Sequence, residues 1–383
     1  MPTIPTPAYR RSPALPRGLA WDEAAIAGRL YLMPAGIVAG ERAAAAVVAG
    51  NGWPIAGGPL AFSSAAAVWR EGAMAWLALA PFPEVVEWAQ REGEPVASHV
   101  SRLVHRVGGR RKEWAGLPMD RPLVMGIVNA TPDSFSDGGD TLAPATAVSA
   151  ALAMAAAGAD IVDVGGESTR PGAAPVSEDA ELARVIPVIR ALAEKGLTVS
   201  VDTRHARVMG AAVEAGARIV NDVAALRGPG ALEAVAQGGA AVCLMHMRGE
   251  PGTMQQDPRY DCAPLDVFDF LAERVRACEE AGIPRGRIAV DPGIGFGKTV
   301  AHNAQILAAL PLYHGLGCPV LLGASRKSFI AGLSAGEPPK ARLPGSLAAA
   351  LAGLEAGVQI VRVHDVAETV QAVRVMEAVR AAG

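Results

Sequence analysis

Polar or charged side chains close eight short apolar runs along the chain after residue 117. They are Asn129, Asp163, Asp202, Asn221 with Asp222, His246, Asp291, Ser325 with Arg326 and Lys327, and Arg362 with His364. Arg362 and His364 lie two apart on an extended run, so both point the same way and offer a guanidinium fork and an imidazole to phosphate oxygens. Asn129 supplies a hard oxygen of the kind that magnesium accepts when it keeps several waters and binds substrate phosphates. Asp202, Asn221 and Asp291 carry carboxylate and amide groups that match the paired donors and acceptors along an aminopyrimidine edge. A lone Asp after a strand is as readily a helix cap or a satisfied core group. Polar ends on all eight runs are not explained that way.

Two loops add to this set. GIVNATPDSFSDGG, Gly126 to Gly139, delivers Asn129 from a buried run into an acidic stretch with no packing task of its own. Asn129, Thr131, Asp133, Ser134, Ser136 and Asp137 supply oxygen-rich groups, Phe135 supplies a ring, and Gly138 and Gly139 give a hinge, as in a loop that meets a ligand. GGESTRPGAAPVSEDAE, from Gly165, is similarly polar; Thr169, Arg170 and Pro171 are its expected contact residues, with Arg170 suited to a carboxylate or phosphate. Ser177 as a helix cap explains SEDAE but not ESTRPG. Two other motifs fail on inspection. GIGFGKT, Gly293 to Thr299, resembles a phosphate-binding loop, but that pattern needs glycine where Pro292 stands. SRKS, Ser325 to Ser328, lacks the S-x-x-K spacing of serine acyl enzymes.

Residues so placed need elements that bring their ends together. From Leu117 the chain alternates β-branched runs with Ala- and Leu-rich helical segments, at a period of about thirty residues as in βα units. The expected strands begin at Leu123, Asp160, Thr198, Arg218, Ala241, Arg287, Pro319 and Gln359. Eight units within residues 117–383 predict a (β/α)8 TIM barrel, whose strands all end at one mouth. Continuous apolar runs suit parallel strands covered on both faces. A doubly wound open sheet is the competing architecture, and eight regular units favour closure.

Residues 1–116 form a second region. All six tryptophans (Trp21, Trp53, Trp69, Trp76, Trp88 and Trp114) fall within it. It carries 12 Lys and Arg against 9 Asp and Glu, a balance of +3, which leaves −6 for the remainder of a chain of net charge −3. YLMPAGIVAG, AVVAGNGWPIAGGPLAF and AMAWLALAP predict a small α+β domain, and RVGGRRKEWAG, Arg106 to Gly116, a basic linker. No catalytic or metal cluster stands there; His99 and His105 are expected at the surface. Its expected role is docking or support of a dimer.

With 51% hydrophobic residues there is ample material for a core, and the slightly negative charge gives no reason to expect nucleic acid. Cys243, Cys262, Cys278 and Cys318 show no CxxC spacing, which favours a reducing cytoplasm over a disulfide framework or zinc site. Pro13, Pro16, Asp22 and Glu23 interrupt any secretory leader after Arg10 and Arg11, and no run reaches the ~18 apolar residues of a membrane span. A soluble cytoplasmic protein is expected, with no membrane partner.

From about Pro122 to the C-terminus, GIVNATPDSFSDGG, GGESTRPG, VDTR, NDV, MHMRGEPGTMQ, DPGIGFGK, SRKS and RVHDV resemble, in order and spacing, the dihydropteroate synthase family. The resemblance implies condensation of 6-hydroxymethyl-7,8-dihydropterin diphosphate with 4-aminobenzoate, giving 7,8-dihydropteroate and diphosphate, in folate biosynthesis. It implies pterin contacts from Asp202, Asn221, Met245, Asp291, Phe296, Gly323 and Lys327. Asn129, Arg170, Arg362 and His364 match the diphosphate site, with Asn129 at Mg2+. Phe135, Thr169, Arg170, Pro171 and Ser328 match the aminobenzoate pocket. Asp137, Lys327, Arg362 and His364 are the implied catalytic set, with Asp137 offsetting a carbocation at the exocyclic methylene. Sulfonamide binding and a homodimer are further expectations. Ala130 replaces the family's usual larger aliphatic residue, and a small change in loop packing is expected from it.

Two alternatives are weighed against this reading. A pterin-dependent methyltransferase domain would need no aminobenzoate pocket, and ESTRPG and SRKS argue against it. A non-catalytic pterin-binding protein would show damage at Asn129, Asp137, Lys327, Arg362 or His364, and all five are present.

Overall fold

The computed structural model describes residues 6–382 except 20, 112, 131–142, 168–175 and 251. The first region is built on a five-stranded sheet. Its strands are β1 (Arg10–Arg11), β2 (Leu30–Ala39), β3 (Trp53–Pro54), β4 (Leu60–Glu71) and β5 (Met74–Pro81). β4 pairs antiparallel with β2, β3 and β5, and β1 runs parallel to β5. Along β4 the two-residue period of a strand sorts side chains onto opposite faces. Ala65, Ala67 and Trp69 join a core with Val85, Trp88, Val100 and Leu103, which belong to helices α3 (Phe82–Glu92) and α4 (Val96–Gly108). Ala66 and Val68, with Tyr31 and Ala75, join the core of the second region instead.

That second region is the expected barrel. Its parallel strands are β8 (Leu123–Asn129), β9 (Ile161–Gly165), β10 (Val199–Asp202), β11 (Ile219–Asp222), β12 (Ala241–Met245), β13 (Ile288–Asp291), β14 (Leu321–Leu322) and β15 (Ile360–Val363). They run in the order β13-β12-β11-β10-β9-β8-β15-β14, and a parallel bridge between Val290 and Val320 joins the two ends of that order. All eight expected runs are strands, and closure excludes the open doubly wound sheet. Helices cover the outside, among them α9 (Ala263–Glu280), α10 (Val300–Ala308), α11 (Ser328–Leu333) and α13 (Val366–Ala381). Between β14 and β15 the chain makes two α-helices, α11 and α12 (Leu343–Glu355), where a regular βα unit has one.

Inside the barrel, Leu123, Met125, Ile161, Ile219, Ala241, Cys243, Ala289, Leu321 and Ile360 form one apolar cluster. Trp114 packs into the same cluster, only 1% exposed, from a two-stranded ribbon of β6 (Glu113–Trp114) and β7 (Leu117–Pro118). Its indole N–H donates to the Arg287 carbonyl at 3.1 Å. Two features of the first region depart from expectation. The segment read as a linker is helical through Gly108, and its Trp114 belongs to the barrel floor. His99 is buried, its Nε2 lying 2.9 Å from the Leu30 carbonyl oxygen, because its helix packs that face against the sheet; His105 is exposed as expected.

The sheet docks on α9. Tyr31 meets Phe268 edge to face at 5.5 Å between ring centroids. Arg70 donates to Asp266 at 2.7 Å and to Asp269 at 3.0 Å, and the Tyr31 hydroxyl lies 2.9 Å from Asp269. Among the described residues no helix is long and apolar enough to cross a membrane.

Because Trp114 fills the barrel floor, Trp114→Ala is expected to lower stability by about 3–5 kcal/mol. Chemical denaturation checks this, and an unchanged midpoint would show that the ring is not part of the barrel core.

Candidate active site

Strand alternation carries the site. On six strands the last residue of the inner apolar cluster is followed, two positions on, by an inward residue one level nearer the C-terminal mouth. Ile161 is followed by Asp163, Ile219 by Asn221, Cys243 by Met245, Ala289 by Asp291, Leu321 by Gly323 and Ile360 by Arg362. Ser200 leads in the same way to Asp202, and β8 ends on Asn129. Asp202 pairs in register with Asn221, Met245 with Asp291, and Asn129 with Gly165. Asp222 has the other parity. Its carboxylate accepts the N–H groups of Ala224 and Leu226, each at 2.7 Å, and so caps the following turn instead of entering the mouth.

Arg362 is the centre of the inward set. Its Nε donates to Asp163 at 2.6 Å and one terminal nitrogen to Asp202 at 2.8 Å. Asp163 is fully buried and also accepts from the Asn221 amide at 3.0 Å through the same oxygen; its other oxygen is buried with no partner among the described residues. Burial works against the charged guanidinium, but Asp163 and Asp202 hold Arg362 protonated above its ordinary range. Burial also pushes the Asp202 carboxyl up, with Arg362 opposing it.

Lys327 stands on the other side of Gly323. A Cβ at Gly323 would lie in ordinary van der Waals contact with Asp291 Oδ2 at 3.6 Å and Lys327 Nζ at 3.7 Å, so both charged groups border this position. Lys327 donates to the Ile294 carbonyl and sits 4.7 Å above the Phe296 ring centroid, a cation–π contact. Burial lowers its ammonium to about 8, with Asp291 pulling the other way. Burial raises the Asp291 carboxyl, opposed by Lys327 and by the Gly293 N–H that donates to it at 2.7 Å. Met245 and Phe296 belong to one apolar patch with Val223, Met247 and Met254, a soft wall suited to a flat ring.

His364 follows β15. The Ser325 hydroxyl accepts its backbone N–H at 3.2 Å and lies 3.0 Å from its Nδ1, which orients the ring. Ser328 is exposed at the start of α11. Phe135, Asp137, Thr169, Arg170 and Pro171 lie outside the described residues. Ala130 is buried, its N–H donating to the Gly165 carbonyl at 2.8 Å.

Two interactions around the mouth were not singled out by the sequence. Asp163 counted only as one polar strand end, yet it holds both Arg362 and Asn221; its place two residues after an inward Ile161 was the available signal. Glu167 accepts the Val176 N–H at 3.3 Å, joining the two described flanks of the ESTRPG loop, and pairs with Arg204 beyond β10 at 3.2 Å; neither contact had been expected from the sequence.

A model described as pterin binding enzyme matches residues 125–364, the whole span of the site. The dihydropteroate synthase of Escherichia coli (strain K12) is 50% identical over 267 residues, covering 70% of this chain and 94% of the relative. The Xanthomonas albilineans enzyme, solved with 4-aminobenzoic acid, is 52% identical with a TM-score of 0.66, over 70% of this chain and 97% of that one. The Burkholderia cenocepacia enzyme, complexed with 7,8-dihydropteroate, is 49% identical with a TM-score of 0.64, over 70% of this chain and 94% of that one. An inward ring of Asp, Asn, Lys and Arg at the mouth of a closed barrel, on a chain so similar to these enzymes, makes this protein a member of the dihydropteroate synthase family.

Proposed function

We propose that the barrel mouth binds the pterin diphosphate with its ring against Met245 and Phe296 and its nitrogen-rich edge on Asp202, Asn221 and Asp291. The protein is a dihydropteroate synthase, a transferase that joins a pterin to 4-aminobenzoate with loss of diphosphate. The observation that carries the assignment of the ring site is the Arg362 bridge. It holds Asp202 in place at the mouth, beside the Gly323 position that Asp291 and Lys327 border.

In this reading the C–O bond between the exocyclic methylene and the diphosphate breaks, and its electron pair leaves on the diphosphate oxygen. The aminobenzoate nitrogen then donates its lone pair to the methylene carbon and loses a proton. The amine is nucleophilic as the free base, so no strong general base is required. Arg362 and His364 stabilise charge on the leaving group; Lys327 fixes the ring. Asp137 offsets the positive charge that develops on the pterin. Phe135, Thr169, Arg170, Pro171 and Ser328 complete the aminobenzoate pocket.

A magnesium ion fits the donor set. Asn129, the last residue of β8, offers one neutral hard oxygen at the mouth. Such a site suits an ion that brings its own waters and a substrate phosphate. Held by Asn129, magnesium would supply charge neutralisation at the diphosphate. The four cysteines are all buried and free, which supports work in a reducing cytoplasm.

Purified protein given the pterin diphosphate, 4-aminobenzoate and Mg2+ is expected to release dihydropteroate and diphosphate; no product under any metal condition would sink the assignment. Lys327→Ala is expected to reduce turnover about 10²-fold with the fold intact. Arg362→Ala should reduce it comparably and also cost about 3–5 kcal/mol of stability, because it leaves two carboxylates in the barrel unpaired. Near-normal rates in both variants would show that the site is misassigned. Since the protonated Lys327 is the binding form, kcat/KM for the pterin diphosphate should fall as pH rises through about 8. Lys327→Arg should shift that fall upward, and an identical fall in the variant would assign it to another group.

A further inference from the structure

Lys298 belongs to GIGFGKT, the stretch that resembles a phosphate-binding loop without satisfying its pattern. In such a loop the lysine reaches an anion. Here it turns inward and is only 3% exposed. Its Nζ lies 2.9 Å from His246 Nδ1, 2.8 Å from the Gly293 carbonyl oxygen and 3.0 Å from that of Phe296, with the His246 carbonyl oxygen further off at 3.3 Å. Three close partners fit a tetrahedral nitrogen in either protonation state. An ammonium donates to all three, and a neutral amine donates to the two carbonyls and accepts from the His246 ring N–H.

The loop around it is built to close on that nitrogen. Gly293, Gly295 and Gly297 all have left-handed backbone, with φ of +69°, +85° and +61°. Side chains at Gly293 and Gly297 would collide with the carbonyl oxygens of His246 and Arg248. The 293–297 turn is therefore pressed flat against the chain that leaves β12. The residues between these glycines face the other way in function. Ile294 gives its carbonyl to Lys327, and Phe296 gives its ring. Gly293 gives its N–H to Asp291. His246 itself is held edge to face on Phe270, at 4.9 Å between centroids.

We propose that Lys298 is a positioning residue for pterin binding: its nitrogen ties the end of β12 to the 293–297 turn, and so sets the places of Phe296, Asp291 and Lys327. It touches no substrate. This rests on the reading of Asp291, Phe296 and Lys327 as the pterin pocket.

The test is steady-state kinetics on the full chain with both substrates, together with thermal unfolding, for Lys298→Met, His246→Phe and Lys327→Ala. Lys298→Met keeps the length of the side chain and removes all three bonds. The expected result is a rise of at least about ten-fold in KM for the pterin diphosphate, with KM for 4-aminobenzoate within about two-fold of the parent, since one 1.4 kcal/mol loss is tenfold. A merely structural lysine would lower the active fraction, and with it kcat, and leave both KM values alone; that result overturns the proposal, as does an equal rise in both. If Lys298→Met does not fold, His246→Phe decides, because it keeps the ring on Phe270 and removes one partner of three. It should raise KM for the pterin diphosphate about three-fold or more, and an unchanged KM would refute the role. Lys327→Ala separates the two readings. If it leaves pterin affinity intact, the pocket itself is misplaced; if it weakens affinity while Lys298→Met does not, only the role of Lys298 fails.

Discussion

One guanidinium shared between two carboxylates inside the barrel is the interaction on which the rest of the site depends. Arg362 reaches Asp163 at 2.6 Å and Asp202 at 2.8 Å, and Asp163 in turn holds the Asn221 amide. Charges taken out of water need partners, and two acidic groups in one cavity repel each other unless a cation lies between them. With Arg362 in place, Asp202 and Asn221 present fixed acceptor and donor atoms toward the mouth. Without it, two carboxylates would face each other in one cavity with no cation between them, and the arrangement of Asp202 and Asn221 would be lost.

The barrel makes this arrangement possible through the two-residue period of its strands. One level of inward residues is apolar and the next carries Asp163, Asp202, Asn221, Asp291 and Arg362 beside Met245 and Gly323, so the same closure that fills the core lines the mouth. Trp114 completes the lower level, and the five-stranded sheet adds an apolar face and the Arg70 pairs on α9. The N-terminal region thus packs against the barrel through its sheet and supplies Trp114, which plugs the floor. Lys298 does for the upper loops what Arg362 does for the strands, joining His246, just past β12, to the 293–297 turn through one buried nitrogen.

The eight strands were legible because each is an apolar, β-branched run with a polar terminus, and β8 coincides with LVMGIVN residue for residue. Met245, Asp291, Phe296, Gly323, Lys327 and Arg362 could be named because they follow those runs or belong to highly specific segments. What one sequence does not reveal is who pairs with whom. Asp163 and Asp222 both follow apolar runs; parity sends the first into the barrel and the second into a turn. The buried position of His99 depends on a helix face chosen by packing against Leu30, which no local pattern announces. GIGFGKT showed a lysine after glycines, but its inward direction is decided by left-handed glycines against a neighbouring strand end. Trp114 sits in a short ribbon whose partner cluster is assembled from seven different barrel strands, beyond the reach of any local reading.

The most direct test of this account is calorimetric titration of a pterin ligand into the Asp163→Asn variant. The substitution keeps the size of the side chain and removes the charge that orients Arg362 and Asn221. The account predicts pterin affinity at least about ten-fold weaker than in the parent, a loss of about 1.4 kcal/mol, in a protein that still unfolds cooperatively. Affinity equal to the parent's would contradict the claim that the shared guanidinium organises the site.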